Sequence, residues 1–89
     1  MMHPCIVQIR DANGEVLERS VRLARKFVTE IDRIKNGIDV YFEDVREARK
    51  FISTLKRLSR FDVKFSTKFA GLRRGRVRVL FVYCLRFKG

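Results

Sequence analysis

The apolar residues of the chain follow two different spacings, which together predict four strands and two helices. Alternation of apolar and polar residues predicts strands at residues 5–10, 38–42, 61–67 and 76–88. Apolar residues at steps of three and four predict helices over residues 20–35 and 44–59. The predicted order along the chain is therefore β-α-β-α-β-β.

Residues with cap and turn preferences lie at the ends of these predicted helices. Ser20 is the expected N-cap of the first helix, and Gly37 is its expected left-handed residue after the C-terminus. Asp44 is the expected N-cap of the second helix, and Glu47 completes a capping-box-like pair with it. Residues 11–14, which include Asn-Gly, are predicted to form a turn.

This order of elements predicts one α+β domain over residues 1–89. Short strands interleaved with helices favour two layers, a four-stranded and mostly antiparallel sheet with both helices on one face. The last two strands are expected to form an antiparallel hairpin through a loop at residues 68–75. The last strand is apolar on both faces, which is typical of a central strand or of one that a partner covers.

The composition is that of a single small folded domain without a membrane span. Hydrophobic residues make up 46% of the 89 residues, enough for one core. No apolar run approaches the roughly 20 residues of a membrane span, and the N-terminus lacks an apolar signal core. We therefore expect a cytoplasmic protein with no membrane partner. Cys5 and Cys84 are expected to be free thiols, although a disulfide stays open if the first and last strands are neighbours.

The distribution of charge changes the picture most. Residues 1–45 carry seven Lys or Arg and eight Asp or Glu, a net of −1, whereas residues 46–89 carry fourteen Lys or Arg and two acids, a net of +12. These charges do not serve a surface stabilised by networks of ion pairs, because such networks need acids as well as bases and residues 46–89 carry only two acids. A field this one-sided attracts polyanions, so the chain is expected to bind nucleic acid.

The basic residues that we expect to bind RNA come from the second helix, the third strand and the loop that follows it. They are Arg46, Arg49, Lys50, Lys56, Arg57, Lys64, Lys68, Arg73, Arg74 and Arg76. If the end of the hairpin lies beside the helix, these side chains form one continuous surface for a phosphate backbone. Arginines bracketed by glycines also suit RNA, because guanidinium planes stack on unpaired bases.

Catalysis and metal binding are not expected. The single histidine, His3, lies at the N-terminus, so a histidine-activated nucleophile is hard to build. Asp44 and Glu47 are explained by capping, and no cofactor motif is present. A metal-dependent nuclease that uses Asp39 and Glu43 remains one rival hypothesis. The other is a protein-interaction module or homodimer, formed through the apolar reverse face of the last strand at Leu80, Val82 and Cys84.

Several segments, in their order and spacing, resemble one known family. They are residues 5–10 (CIVQIR), 36–42 (NGIDVYF), 48–51 (ARKF), 66–72 (STKFAGL) and the strand that ends in 85–87 (LRF). Together they resemble the central α/β segment of the large-ribosomal-subunit export adaptors, a family that shares its name with a nonsense-mediated decay factor. The resemblance is to the archaeal type, and the chain departs from the family pattern in two ways: it lacks the Cys-x-x-Cys zinc modules that precede this segment, and it stops where the later β domains would begin. A stand-alone paralogue and an excised domain would both have such a sequence.

The resemblance implies a partner for the basic half of the chain. Members of that family bind the large ribosomal subunit late in its assembly, and archaeal members are implied to act in assembly or quality control. We therefore expect a non-enzymatic module that binds ribosomal RNA or the large subunit through the ten basic residues named above.

Overall fold

The computed structural model of the chain describes residues 5–27, 30–73 and 76–88, with the side chains of all these except residues 69–73 and 76–78. Within these residues the elements are β1 (Cys5–Arg10), α1 (Gly14–Arg25), β2 (Glu30–Ile34), β3 (Gly37–Phe42), α2 (Val45–Leu58), β4 (Phe61–Arg73) and β5 (Arg76–Phe87). The α+β class is confirmed. The order is β-α-β-β-α-β-β, which has one strand more than the sequence pattern predicted.

The strands of the described residues form one five-stranded sheet in the order β2-β3-β1-β5-β4. β1 pairs with β5 in parallel, and the other neighbouring strands pair antiparallel. The sheet is therefore mixed, and the predicted four-stranded sheet is corrected to five strands. The final hairpin of β4 and β5 is antiparallel, as predicted.

Both helices pack on the same face of this sheet, as expected from the two-layer prediction. The core lies between the layers and is closed by the apolar stripes of both helices. Its most buried large side chains include Phe42, Phe51, Ile9, Ile38, Leu55 and Leu85. Odd-numbered residues of β1 and β5 face the helices, and even-numbered residues face the opposite side, called here the reverse face.

The first helix begins and ends earlier than predicted. Its N-cap is Asn13, whose side chain accepts a hydrogen bond from the backbone N–H of Val16 at 2.9 Å. The predicted N-cap, Ser20, instead lies inside α1, is fully buried, and donates to the carbonyl oxygen of Val16 at 2.8 Å. Asn-Gly suits a turn and a helix start equally well. Partly buried Val16 and Leu17 extend the apolar stripe backwards and favour the helix.

The second half of the predicted first helix is a strand. Residues 30–34 form β2, which pairs antiparallel with β3 through a two-residue connection at 35–36. Ile31 and Ile34 fit a helical spacing, but the same residues lie on an extended edge strand. Gly37 has φ of +156° and begins β3. A Cβ there would overlap the carbonyl oxygen of Ile9, so close approach of β1 selects the glycine.

The second helix and the strands around it follow the sequence pattern closely. Asp44 caps α2, and its carboxylate accepts from the backbone N–H of Arg46 at 2.8 Å. The strand predicted at residues 38–42 is β3 with one more residue. β4 is longer than predicted, because it continues to Arg73 through an irregular register between Phe69 and Gly71. Residues 68–73 of the predicted loop are therefore strand.

The two cysteines are free although their strands are neighbours. Cys5 lies opposite Phe81 on β5, whereas Cys84 lies opposite Gln8 on β1, so the two thiols face opposite sides of the sheet. A disulfide between them is excluded by this register. Burial raises the pKa of the Cys5 thiol to about 11. Neither helix of the described residues is long and apolar enough to cross a membrane.

Candidate nucleic-acid interface

The exposed side of α2 gathers half of the basic residues that the sequence singled out. Buried Ala48, Phe51, Ile52 and Leu55 hold one side of α2 against the sheet. The rotation of α2 that this packing sets turns the basic side chains to solvent. They are Arg46, Arg49, Lys50, Lys56 and Arg57, called here the α2 ridge.

Three members of the α2 ridge have no neutralising partner among the described residues. Arg46 pairs with Asp44 at 3.2 Å, and its backbone N–H and guanidinium lower the pKa of that carboxyl. Arg49 donates from Nε to the Tyr83 hydroxyl at 3.4 Å. The side chains of Lys50, Lys56 and Arg57 make neither an ion pair nor a hydrogen bond within the described residues. Their charge is therefore available to a ligand.

Lys64 and Lys68 follow the same edge of the sheet but lie on the reverse face. The Phe65 ring contacts that of Tyr83, whose hydroxyl meets Arg49 of α2, so Phe65 lies on the helix-covered face. Strand alternation then places Lys64 and Lys68 on the opposite face. The structure thus brings these two lysines to the edge that α2 borders, but it does not put them on one flat surface with the α2 ridge.

The predicted arginines at the hairpin end are described only through their backbone. Arg73 lies opposite Arg76 in the β4–β5 register, which places both at the far end of the hairpin. The side chains of Arg73 and Arg76, and all of Arg74, lie outside the described part of the chain. Their contribution to an RNA surface stays a prediction.

A groove between α2 and β4 contains residues that the sequence reasoning assigned to the core. Its volume is about 280 Å³, and it is lined by Arg49, Ile52, Ser53, Lys56, Val63 and Tyr83. Phe65 continues the same row of β4 and is 51% exposed, while Val63 is 41% exposed. The alternation of residues 61–67 puts both on the face of β4 that points towards the helices, but the helices do not cover that face there.

The width of the two layers explains why this face stays open. Five strands spaced about 4.8 Å apart place the axes of the two edge strands roughly 19 Å apart. Two helices packed side by side have axes only about 10 Å apart. α1 and α2 pack mainly over β1 and β3, so the edge strand β4 projects past them. An apolar residue on that strand cannot be fully buried.

A second depression continues the line of positive charge at the C-terminal end of α2. It is lined by Lys56, Ser59, Arg60, Phe61, Asp62 and Lys88. Lys88 pairs with Asp62 at 3.4 Å, whereas Lys56 and Arg60 make no side-chain ion pair to a described residue. Lys56 lines both the groove and this depression, so positive charge continues along the boundary between α2 and β4. Arg60 and Lys88 were not among the predicted site residues, although Arg60 continues the basic side of the second helix in the sequence.

The features proposed for the rival hypotheses are placed differently. On the reverse face Val82 is only 3% exposed, and Leu80 and Cys84 are half-buried, so the larger apolar exposure lies beside α2. Asp39 accepts a hydrogen bond from Arg10 at 2.7 Å, which occupies one carboxylate of the suggested nuclease pair. The described residues contain no group of three or more metal-ligating side chains.

Comparison with known families adds one finding to this geometry. The family model described as NMD3, second domain, matches residues 3–87 of the chain. The matched range includes every segment that carried the resemblance, together with both helices and all strands described above. A separate search of curated proteins found no match to the chain.

Proposed function

Because the chain belongs to the NMD3 family, whose second domain it matches, we propose that it is a non-enzymatic module that binds ribosomal RNA. The family is linked to the export of ribosomal subunits, which supports a role with the large ribosomal subunit or its assembly. The proposed location is the cytoplasm, where such subunits work. RNA contact is proposed from the charges of this chain rather than from the family.

The observation that carries the proposal is the unpaired charge of the α2 ridge. Lys50, Lys56 and Arg57 lie on one exposed side of a helix and make no ion pair to a described carboxylate. Like charges held this close repel one another and lower the stability of the fold. A phosphate backbone relieves that repulsion and gains entropy from released counterions. The second half of the sequence carries only two acids against fourteen Lys or Arg, which supports the same interpretation.

The proposed interface wraps around the β4 edge of the sheet. The α2 ridge contacts phosphates from the helix side, and Lys64 and Lys68 contact them from the reverse face. Arg73, Arg74 and Arg76 belong to the proposed site on the ground of the sequence alone. An edge that presents cations on both faces suits an irregular RNA strand better than it suits a flat partner.

Two matched sets of substitutions test this proposal. Lys50→Glu, Lys56→Glu and Arg57→Glu reverse the ridge, whereas Arg22→Glu, Arg25→Glu and Lys26→Glu reverse three exposed cations in and just after the last turn of α1. Each set lowers the net charge from +11 to +5. Both sets also remove favourable charges from a helix C-terminus, so their effects on stability are comparable.

The ridge variant is expected to lose most of its affinity for purified ribosomal RNA in filter binding, while the α1 variant loses much less. Circular dichroism establishes that both remain folded. Equal losses in the two variants would mean that only bulk charge matters, and no loss in either would refute the proposed function.

A second candidate rests on the exposed apolar side chains Val63 and Phe65. These residues would suit a protein partner or a second copy of the chain. Light scattering at high protein concentration tests self-association, and a strict monomer would count against the homodimer.

A further inference from the structure

Tyr83, which lines the groove between α2 and β4, belongs to a cluster of three aromatic rings with Phe65 and Phe81. The centroid of the Phe65 ring lies 4.8 Å from that of Tyr83 and 6.0 Å from that of Phe81, with the Phe81 ring tilted only 18° from the Phe65 plane. Phe65 is thus supported by two rings while half of it stays exposed. A ring held in this way loses little further conformational entropy when a ligand stacks on it.

One cation contacts these rings, and a second lies further along the groove. Arg49 reaches Tyr83 with Nε, at 3.4 Å from the hydroxyl, and its pKa is raised by that hydrogen bond. Lys56 lines the other end of the groove and makes no ion pair or hydrogen bond to a described side chain. The floor between them is Ile52 and Val63. The groove therefore offers apolar ring surface and positive charge within one short stretch.

The positive charges of the groove distinguish between the ligands that could bind there. A second copy of the chain would bring its own Arg49 and Lys56 to a self-complementary interface, so like charges would meet. A purely apolar partner would leave Lys56 without a counter-charge. A nucleotide has a flat ring to stack on Phe65 and a phosphate for Lys56 or Arg49. Charge complementarity thus favours a nucleic acid as the occupant.

We infer that Phe65, backed by Tyr83 and Phe81, with Arg49 bound to Tyr83 and Lys56 further along the groove, is a stacking site for an unpaired base. This inference rests on the proposed RNA-binding function and names the class of RNA, which is single-stranded or looped. In a regular duplex the bases are stacked on one another and cannot reach a side-chain ring. The bound RNA therefore presents at least one base outside a helix.

The test uses two substitutions at Phe65 and two RNA probes. Phe65→Leu keeps an apolar side chain but removes the ring, and Phe65→Trp keeps a ring. The probes are an oligouridine of about 12 nucleotides and an RNA duplex of the same length, which are within the range that small domains bind. Phe65→Leu is expected to weaken oligouridine binding roughly 5- to 150-fold, the loss typical of one base–aromatic stack. Its effect on duplex binding is expected to be under about twofold.

Phe65→Trp supplies an independent readout, because the natural chain contains no tryptophan. Oligouridine at saturation is expected to quench the indole fluorescence strongly, whereas the duplex is not. Ile34→Trp on β2 is the matched control, since Ile34 is 42% exposed and far from the groove in strand order. That variant is expected to show no quenching by either probe.

The outcomes separate this inference from the proposed function. If wild type binds neither probe nor ribosomal RNA, both fail. If wild type binds RNA but Phe65→Leu binds oligouridine as well as wild type does, the stacking site is refuted and the phosphate contacts stand. Self-association of wild type that Phe65→Leu abolishes, with RNA affinity unchanged, would assign the groove to a second copy and overturn the inference.

Discussion

The two edge strands of the sheet, β2 and β4, differ in how their cations are neutralised. On the helix side of β2, Arg33 pairs with Glu18 of α1 at 3.2 Å. On the same half of the sheet, Arg10 of the central strand β1 pairs with Asp39 of β3 at 2.7 Å, where both side chains are about four-fifths buried. Along β4, by contrast, Lys64, Lys68 and the neighbouring Lys56 make no ion pair within the described residues.

The apolar side chains at these edges differ in the same direction. On its helix side β2 presents partly buried Ile31 and exposed Arg33. β4 presents Val63 and Phe65, both more than two-fifths exposed, on its helix side. At the β2 edge the charges are paired within the chain and few apolar side chains are exposed. At the β4 edge unpaired cations and exposed apolar side chains are available to contact a ligand.

The largest expected effect is from Gly37→Ala. Gly37 is the first residue of β3 and pairs with Ile34 of the edge strand β2. The added Cβ would overlap the carbonyl oxygen of Ile9 in the neighbouring strand. We expect a loss of about 3 kcal/mol or more in the free energy of unfolding, and a fall in Tm of more than about 12 °C. Gly14→Ala is the control, because nothing lies within 4 Å of the position where its Cβ would stand. Calorimetry that gave the two variants equal stability would contradict the register of β1 and β3.

A somewhat smaller effect, on RNA affinity, is expected when unpaired cations of the α2 ridge are replaced by neutral residues. Lys50→Gln, Lys56→Gln and Arg57→Gln remove three proposed phosphate contacts. The plot of log K for oligouridine binding against log salt concentration should become shallower by about 2 in slope. This corresponds to roughly 50-fold weaker binding near 0.15 M salt. The same three changes at Arg22, Arg25 and Lys26 should leave the slope nearly unchanged. Titrations at several salt concentrations measure both slopes.

Removing a paired cation from the β2 half of the sheet should lower the free energy of unfolding more than removing an unpaired cation from β4. Arg10 donates to Asp39 and to the carbonyl oxygens of Ile9 and Ile38, so Arg10→Met is expected to cost about 1–2 kcal/mol. Lys64→Met removes an exposed, unpaired charge and should stay within about 0.5 kcal/mol of wild type. Urea unfolding compares the two. Equal costs would mean that pairing does not distinguish the edges.

The smallest effect concerns the anionic character of the β2 side. Burial, the hydrogen bond with Asp32, and the charges of Asp32, Asp39 and Glu30 raise the pKa of Tyr41. Above the ordinary tyrosine pKa, near 10, the unfolded chain releases this proton first, so the contribution of Tyr41 to stability falls as pH rises. Asp32→Asn should lower the pKa of Tyr41, as measured by phenolate absorbance in a Tyr83→Phe background. An unchanged pKa would contradict the contact between Tyr41 and Asp32.

Sequence periodicity predicted elements correctly where one local signal stood alone. Asp44 followed by a three- and four-step apolar pattern allowed one interpretation, and α2 begins and ends within a residue of it. The region from Asn13 to Gly37 carried two compatible signals, because Ile31 and Ile34 suit a helix face and an edge strand alike. Pairing with β3 decided between them, and pairing is a long-range contact that spacing does not contain.

By itself the sequence determined the class of the fold, the second helix, the final hairpin and the cationic character of residues 46–89. These follow from local patterns and from composition, which are the same in any arrangement of the chain. Only the tertiary structure decided that Lys64 and Lys68 lie on the reverse face, and that Phe65 stays exposed although its strand face points inward. The reason is geometric, because exposure depends on where two helices run out over a sheet that is five strands wide.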